Sequence, residues 1–384
     1  MQRMRRGNKT LRTWSAKDIR KGTRVFLRVD ANVPLVNGEI APYGMLRIRA
    51  ALPEIERLLR RGARVVLATH LGRPDGRRVP ALSTSVIADA FAHELKRPVR
   101  WIAQTTGRRA EAAIAKLKPG SVAMIENLRF EKGEKTNDRT FAKLLARLAD
   151  VYVNNAFGVS HERHASVHAI TKLLPSFAGE LLSREVEALN LQPEHPFVIV
   201  IGGAKVSSKI PMLHRLGRQA DAIIIGGGVA LTCIVAAKGS FGVDAPRFTE
   251  ESDIAEAKML MRYLGDKLVL PRDLIASRHR EAVVDIGTRT LRHASHIIEA
   301  AKTIIWNGPM GITEEPDGCF GTLGIAWAIA SNKKARTIVG GGETVEFIES
   351  VGLVDRYSHV STGGGAMLAC LGGEPMPGLE PLYR

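Results

Sequence analysis

A chain of 384 residues with 45% hydrophobic and 24% charged side chains is too apolar to stay disordered and long enough to bury two cores. Its formal charge of +16 calls for anionic company, yet aromatics are only 5% and are not interleaved with basic residues, which makes nucleic acid the weaker reading. The three cysteines, Cys233, Cys319 and Cys370, lie far apart with no CxxC pair; that pattern encodes neither a zinc cage nor a disulfide framework and suits a reducing cytoplasm.

The opening MQRMRRGNKTLR is basic without an apolar core, so it reads as a short solvated extension and not as a secretory signal. From there, β-branched runs recur, each followed by a glycine-rich or polar turn. The predicted strands are RVFLRVD to Asp30, ARVVLATH to His70, SVAMIE to Glu126 and DVYVNN to Asn155. They continue with FVIVIGG to Gly203, DAIIIGG to Gly227, KLVLPRD to Asp273, TIIWNG to Gly308, RTIVGG to Gly341 and HVSTGG to Gly364. Amphipathic stretches such as AALPEIERLLRRG and RTFAKLLARLAD lie between them, and this alternation predicts parallel sheets wrapped by helices. The stretch from Leu173 to Phe197 has helical spacing, flanking prolines and no strand pattern, and reads as a connecting helix between two halves. The most apolar segment, Ile223 to Ala237, is interrupted by glycines and shorter than the roughly 20 residues a membrane span needs. The proline-rich tail PMPGLEPLYR is expected to pack over the surface without forming an element.

In open parallel sheets ligands bind beyond the carboxyl ends of the strands. There the triple glycine recurs in IIIGGGVAL, TIVGGGETV and HVSTGGGAM, all in the second half. A strand that ends in glycine and opens a helix leaves backbone N–H groups unpaired at the positive end of the dipole, where a phosphate can approach. The segment GGAKVSSKI is read as a helix opening near Ala204, with Lys205 and Lys209 four apart on one face. Like charges so placed cost about 0.2–0.5 kcal/mol, a penalty that a bound polyphosphate reverses. No window spells a P-loop or a dinucleotide fingerprint. In the first half the strand ends carry Asp30 and Asn32, His70 and Arg73, and Arg129, while Arg47 lies near a helix start. Several converging guanidinium groups suit a small, heavily anionic substrate.

The succession RVDANVP, THLGRPDG, IENLRFEKGEKTND, VNNAFGVSHERHAS, GGAKVSSKI, IIIGGGVA, VLPRD, WNGPMG, GGGET and SHVSTGGGAML resembles phosphoglycerate kinase in order and spacing from about Thr10 onward. The resemblance implies two Rossmann-like three-layer α/β/α domains with mainly parallel sheets, joined by a hinge helix. The implied boundaries are 1–172 for a triose-binding domain, 173–192 for the hinge helix and 193–370 for a nucleotide-binding domain, with a tail 371–384 packing back toward the first. It implies reversible phosphoryl transfer from 1,3-bisphosphoglycerate to ADP, a step of glycolysis, with Mg2+, by a cytoplasmic monomer that engages no membrane.

Residue by residue, Asp30, Asn32, Arg47, His70, Leu71, Gly72, Arg73 and Arg129 match the triose site, and Arg163 stands near it. Arg47, Lys205 and Gly364 match residues facing the transferring group. Lys205, Lys209, Gly308, Glu314 and Gly341, Gly342, Glu343 and Thr344 match the nucleotide site, with Glu314 on the ribose and Glu343 on the metal. The sequence departs from the family pattern at Glu343 and Asn155, at Ser208, and at Glu162 followed by Arg163, where the family reads HRAH. Losing a charge-assisted contact at Glu162 costs about 1.5–3 kcal/mol unless Arg163 fills the gap. Two rival readings follow: a related kinase acting on another small carboxylate, and a non-catalytic nucleotide-binding protein whose basic surface engages RNA.

Overall fold

The computed structural model describes residues 10–41, 44–238, 251–277 and 283–384. They form two compact units, one running to Glu187 and including Pro375–Arg384, the other Ala188–Glu374.

In the first unit the chain runs β1 (Arg24–Val29), the hairpin β2 (Leu35–Val36) and β3 (Glu39–Ile40), α1 (Met45–Arg60), β4 (Arg64–Ala68), α2 (Ser85–Leu95) and β5 (Val99–Ile102). It continues with α3 (Arg108–Ala115), β6 (Val122–Ile125), α4 (Lys132–Lys135), α5 (Arg139–Ala146), β7 (Val151–Asn155) and β8 (Ser176–Ala178). The sheet order is β5-β6-β4-β1-β7-β8, with every pairing parallel. Alternation along β1 sends Val25, Leu27 and Val29 to a core shared with Ile48, Ile55 and Leu58 of α1. Phe26 faces the opposite core, with Ile114 of α3 and Phe141 and Leu145 of α5. A parallel sheet buried on both faces needs such near-continuous apolar strands. The start of α5 is fixed by Asp138, whose carboxylate accepts the Phe141 N–H at 2.6 Å.

The helix α6 (Glu180–Leu189) carries the chain across the division after Glu187. The second unit runs β9 (Phe197–Ile201), α7 (Ile210–Leu216), β10 (Ala222–Ile225), α8 (Gly227–Lys238), α9 (Glu251–Leu264), β11 (Leu268–Val269), β12 (Leu274–Ala276) and β13 (Val283–Ile286). After α10 (Thr288–Ala300) come β14 (Thr303–Asn307), α11 (Phe320–Ser331), β15 (Arg336–Gly340), α12 (Gly342–Ser350), β16 (His359–Val360) and α13 (Gly364–Gly372). Its parallel sheet has the order β11-β10-β9-β14-β15-β16, and β12 pairs antiparallel with β13 beside it. This is doubly wound topology with its switch point between β9 and β14, where ligands bind in such sheets. Trp306 and Val339 share one core face with Ile298, Ile325 and Ile348 from α10, α11 and α12.

All ten predicted runs contain strands. Four local readings are corrected. The connecting stretch is not free of strand: Ser176–Ala178 pairs with β7 at the sheet edge before α6 begins. The helix after GGAK does not open at Ala204; Ser207–Lys209 is a single 3-10 turn, and α7 starts at Ile210 with Pro211 in its first turn. Lys205 and Lys209 therefore do not share the first turns of one helix face. The tail is buried in the first unit, with Met376, Leu379 and Leu382 at 4%, 2% and 0% exposure and a 3-10 turn over Glu380–Leu382. Most of the N-terminal extension lies outside the described residues, but Leu11 bridges Tyr383 and Thr13 bridges Ala178, so residues 10–13 are held by backbone pairing.

Candidate active site

At the carboxyl edge of the first sheet, three strand-end loops are bonded into one patch. Asp30, after β1, is 5% exposed and accepts from Arg47 Nη1 of α1 at 3.3 Å; the same nitrogen donates to the Asn32 carbonyl at 3.0 Å. The Asn32 Oδ1 accepts the Gly72 N–H at 2.8 Å, and the Gly72 carbonyl accepts from Arg129 Nη1 at 2.9 Å. Gly72 sits at φ +63°, and a Cβ there would come within 2.9 Å of Leu82 Cδ2, so both conformation and space call for glycine. Leu71 is buried behind it, its N–H on Asn127 Oδ1. Asn127, which also accepts the Arg129 N–H at 3.0 Å and donates to the Leu71 and Leu82 carbonyls, is a fully buried hub that the sequence reading did not single out.

Arg28 is the second missed residue. It lies inside β1 at 0% exposure and donates to Ser166 Oγ at 3.0 Å, to the Val29 carbonyl and to His70 Nδ1 at 3.1 Å. Ser166 in turn donates to the buried Glu134, whose carboxyl is raised above its ordinary range by burial while Arg28 pulls it down. An arginine only donates, so His70 Nδ1 accepts and the ring proton is on Nε2. Burial first, then Arg28 and Arg129, hold His70 well below its usual pKa, and His164 is lowered to about 3 for the same kinds of reason. Both imidazoles are neutral at physiological pH. An arginine flanked by apolar residues within a strand was the available signal for Arg28.

Arg73 and Arg163 are exposed and make no hydrogen bond among the described residues, so the structure does not tie either into this patch. Glu162 stands instead between His161 at 3.7 Å and His164 at 3.5 Å, and its charge favours the protonated Arg129, which burial and Arg28 disfavour. Asn155 accepts the Leu181 N–H at 2.9 Å and so holds the start of α6.

In the second unit the switch point is built from packed glycine backbones. Gly203 N–H donates to the Pro309 carbonyl and Gly227 N–H to the Met310 carbonyl, each at 2.8 Å. A Cβ on Gly202 would lie 1.9 Å from the Pro309 oxygen, and one on Gly364 would lie 2.7 Å from the Gly341 Cα. Side chains at these points would push the loops apart. Each triple glycine lies between a strand and a helix that it opens: α8 at Gly227, α12 at Gly342 and α13 at Gly364. No side chain caps α12 or α13, which leaves their first N–H groups available to an anion.

Lys209 is 9% exposed and donates its Nζ to Asn307 Oδ1; Asn307 Nδ2 donates to the Gly340 carbonyl at 2.9 Å, and Gly308 N–H to Thr344 Oγ1 at 2.9 Å. Lys209 is thus tied through Asn307 to Gly340, and Gly308 directly to Thr344. Burial lowers Lys209 to about 8, and the carboxylate of Glu343 works against that. Lys205 is exposed after β9, its carbonyl accepting from Ser208 Oγ at 3.2 Å, and Glu314 is exposed on the segment after β14. The described residues contain no group of three or more His, Cys, Asp or Glu suited to a metal. They contain no helix long and apolar enough to cross a membrane.

Two doubly wound units, one lined at its edge by guanidinium groups and the other by helix N-termini over bare glycine, are the parts of a two-unit phosphotransferase. The family model for phosphoglycerate kinase matches residues 16–374. The phosphoglycerate kinase of Thermomicrobium roseum is 42% identical over 385 residues, covering 94% of this chain and 96% of that protein. That of Desulforudis audaxviator is 43% identical, covering 94% and 97%. Among solved structures, the enzyme of Pyrococcus horikoshii OT3 superposes with a TM-score of 0.85 at 31% identity, covering 94% of this chain and 96% of that one. The Coxiella burnetii enzyme gives 0.77 at 33% identity with the same coverage. The chain belongs to the phosphoglycerate kinase family. Its reaction is the reversible transfer of a phosphoryl group from 1,3-bisphosphoglycerate to ADP, a carboxyl group being the acceptor in reverse.

Proposed function

We propose that the first unit binds the triose and the second the nucleotide, with Arg47, Lys205 and the start of α13 at Gly364 meeting the phosphoryl in transit. The observation that supports this most is the bonded chain Arg47–Asp30–Asn32–Gly72–Arg129 at one sheet edge, which holds two guanidinium groups beside a neutral, donating His70. In this reading Asp30 and Asn32 orient Arg47 and the substrate carbons, and Arg73, Arg129 and Arg163 receive the phosphate.

The Gly341 to Thr344 turn and Gly308 cradle the nucleotide phosphates with Lys209, and Glu314 takes the ribose. Glu343, an exposed carboxylate in the first turn of α12, fits Mg2+, which prefers oxygen donors and completes its shell with water and substrate phosphates. When bound, the ion neutralises charge on the nucleotide phosphates.

A β-phosphate oxygen of ADP bonds to phosphorus as the bond from phosphorus to the acyl oxygen breaks, and the released carboxylate takes both electrons. Nucleophile and leaving group are already ionised, so no proton moves. Neutral His70 and His164 agree with that chemistry, in which positioning and fixed charge supply the rate. We further read the chain as a cytoplasmic monomer.

Steady-state kinetics of Arg129→Met test the assignment. The KM for 3-phosphoglycerate should rise at least tenfold with the KM for ATP within twofold; a rise confined to ATP would reverse the two sites.

A further inference from the structure

We infer that Asp285 is a positioning residue for the nucleotide: from β13 its carboxylate holds the start of α11 and so fixes the segment Gly311–Cys319 that presents Ile312 and Glu314. The inference rests on the reading of Glu314 as a ribose ligand.

Asp285 is 2% exposed; one oxygen accepts the Gly321 N–H at 2.6 Å and the other the Ile286 N–H at 2.8 Å. The carboxylate sits against two glycines. A Cβ on Gly311 would lie 2.5 Å from its Cγ, and one on Gly321 would lie 2.4 Å from Oδ1. Both ends of the segment are thereby pressed on one acid. The base is closed twice more, by Ile312 N–H to the Val284 carbonyl at 2.8 Å and Met310 N–H to Thr322 Oγ1 at 2.9 Å. Within it, Glu315 N–H donates to the Ile312 carbonyl and Gly318 N–H to the Glu315 carbonyl, both at 2.9 Å.

What this closed loop exposes is an apolar side chain, Ile312 at 37%, and a carboxylate two residues on, Glu314. A flat apolar base and a vicinal diol are the matching chemistry of a nucleoside. Asp285 makes no ion pair among the described residues, and burial lifts its pKa to about 6. Among the described residues its hydrogen bonds come from backbone N–H donors; a buried acid so held costs stability, so its place at the root of this loop is explained by what the loop does.

The test compares Asp285→Ala, Asp285→Asn and Glu314→Gln by KM for ATP and for 3-phosphoglycerate. Asp285→Ala should raise the ATP KM tenfold or more and leave the 3-phosphoglycerate KM within twofold. In a Glu314→Gln background it should add less than threefold, because both changes act on one contact. Asp285→Asn, which keeps one acceptor, should raise the ATP KM about threefold, and it carries the comparison if the alanine variant does not fold. An ATP KM unmoved by Asp285→Ala, or by Asp285→Asn where alanine is unfolded, while Glu314→Gln raises it, overturns the inference alone. An ATP KM unmoved by Glu314→Gln overturns the ribose reading beneath it.

Discussion

Lys209 makes a prediction with opposite signs for stability and for activity. Its drop from 10.5 to about 8 corresponds to roughly 3 kcal/mol, caused first by burial and offset by Glu343. Below pH 8 the side chain is charged in both folded and unfolded chains, and the cost of burying it is present in full. Between about 8 and 10.5 the unfolded chain holds a proton that the folded one has released, so stability rises with pH through that window. If Lys209 holds nucleotide phosphate, as proposed, binding uses the charge and moves the other way. At pH 9 about one Lys209 in ten is protonated, so kcat/KM for ATP should fall about tenfold per pH unit above 8, a profile that reports the free enzyme. Arginine stays charged across the range. In Lys209→Arg the profile should run flat from pH 7 to 9.5 from a lower starting value. A flat wild-type profile, or a decline that Lys209→Arg leaves in place, would refute the reasoning.

Arg28→Met removes the cation that acts most on the fully buried Glu134, to which Ser166 links it, and should cost about 3–5 kcal/mol at pH 8 in urea unfolding. The loss should be smaller at pH 5, because an acid already raised by burial takes up a proton as pH falls; equal losses at both would count against the pairing. Glu162→Gln removes an anion that acts on Arg129 and should lower the KM for 3-phosphoglycerate about fivefold, the equivalent of the ~1 kcal/mol between charges about 4 Å apart that are screened as in water. An unchanged or higher KM would mean that Glu162 does not meet the substrate.

Ten strands were legible because apolar, β-branched runs mark them, down to the two-residue β11 (Leu268–Val269) and β16 (His359–Val360). Others were not. In Ser176–Ala178 and the hairpin Leu35–Ile40, backbone pairing and not composition makes the strand, and Val99–Ile102 is an edge strand with Arg100 and Trp101 exposed. The late opening of α7 was written in the sequence as Pro211, which favours a helix start. Ser208 bonding back to the Lys205 carbonyl competes with helix in the residues before it. At the candidate site the residues at strand ends were visible from their place after each run. Arg28, Asn127 and Asn307 were not, since each acts by bonding other groups into position, which only the fold brings within reach.

The central claim is that fixed charge at the two sheet edges, without proton transfer, carries the phosphoryl across. Single-turnover formation of ATP from 1,3-bisphosphoglycerate and ADP by Lys205→Ala tests it most directly. The rate should fall about 10²–10³-fold with the Kd for ADP within threefold, and near wild-type turnover would contradict the account.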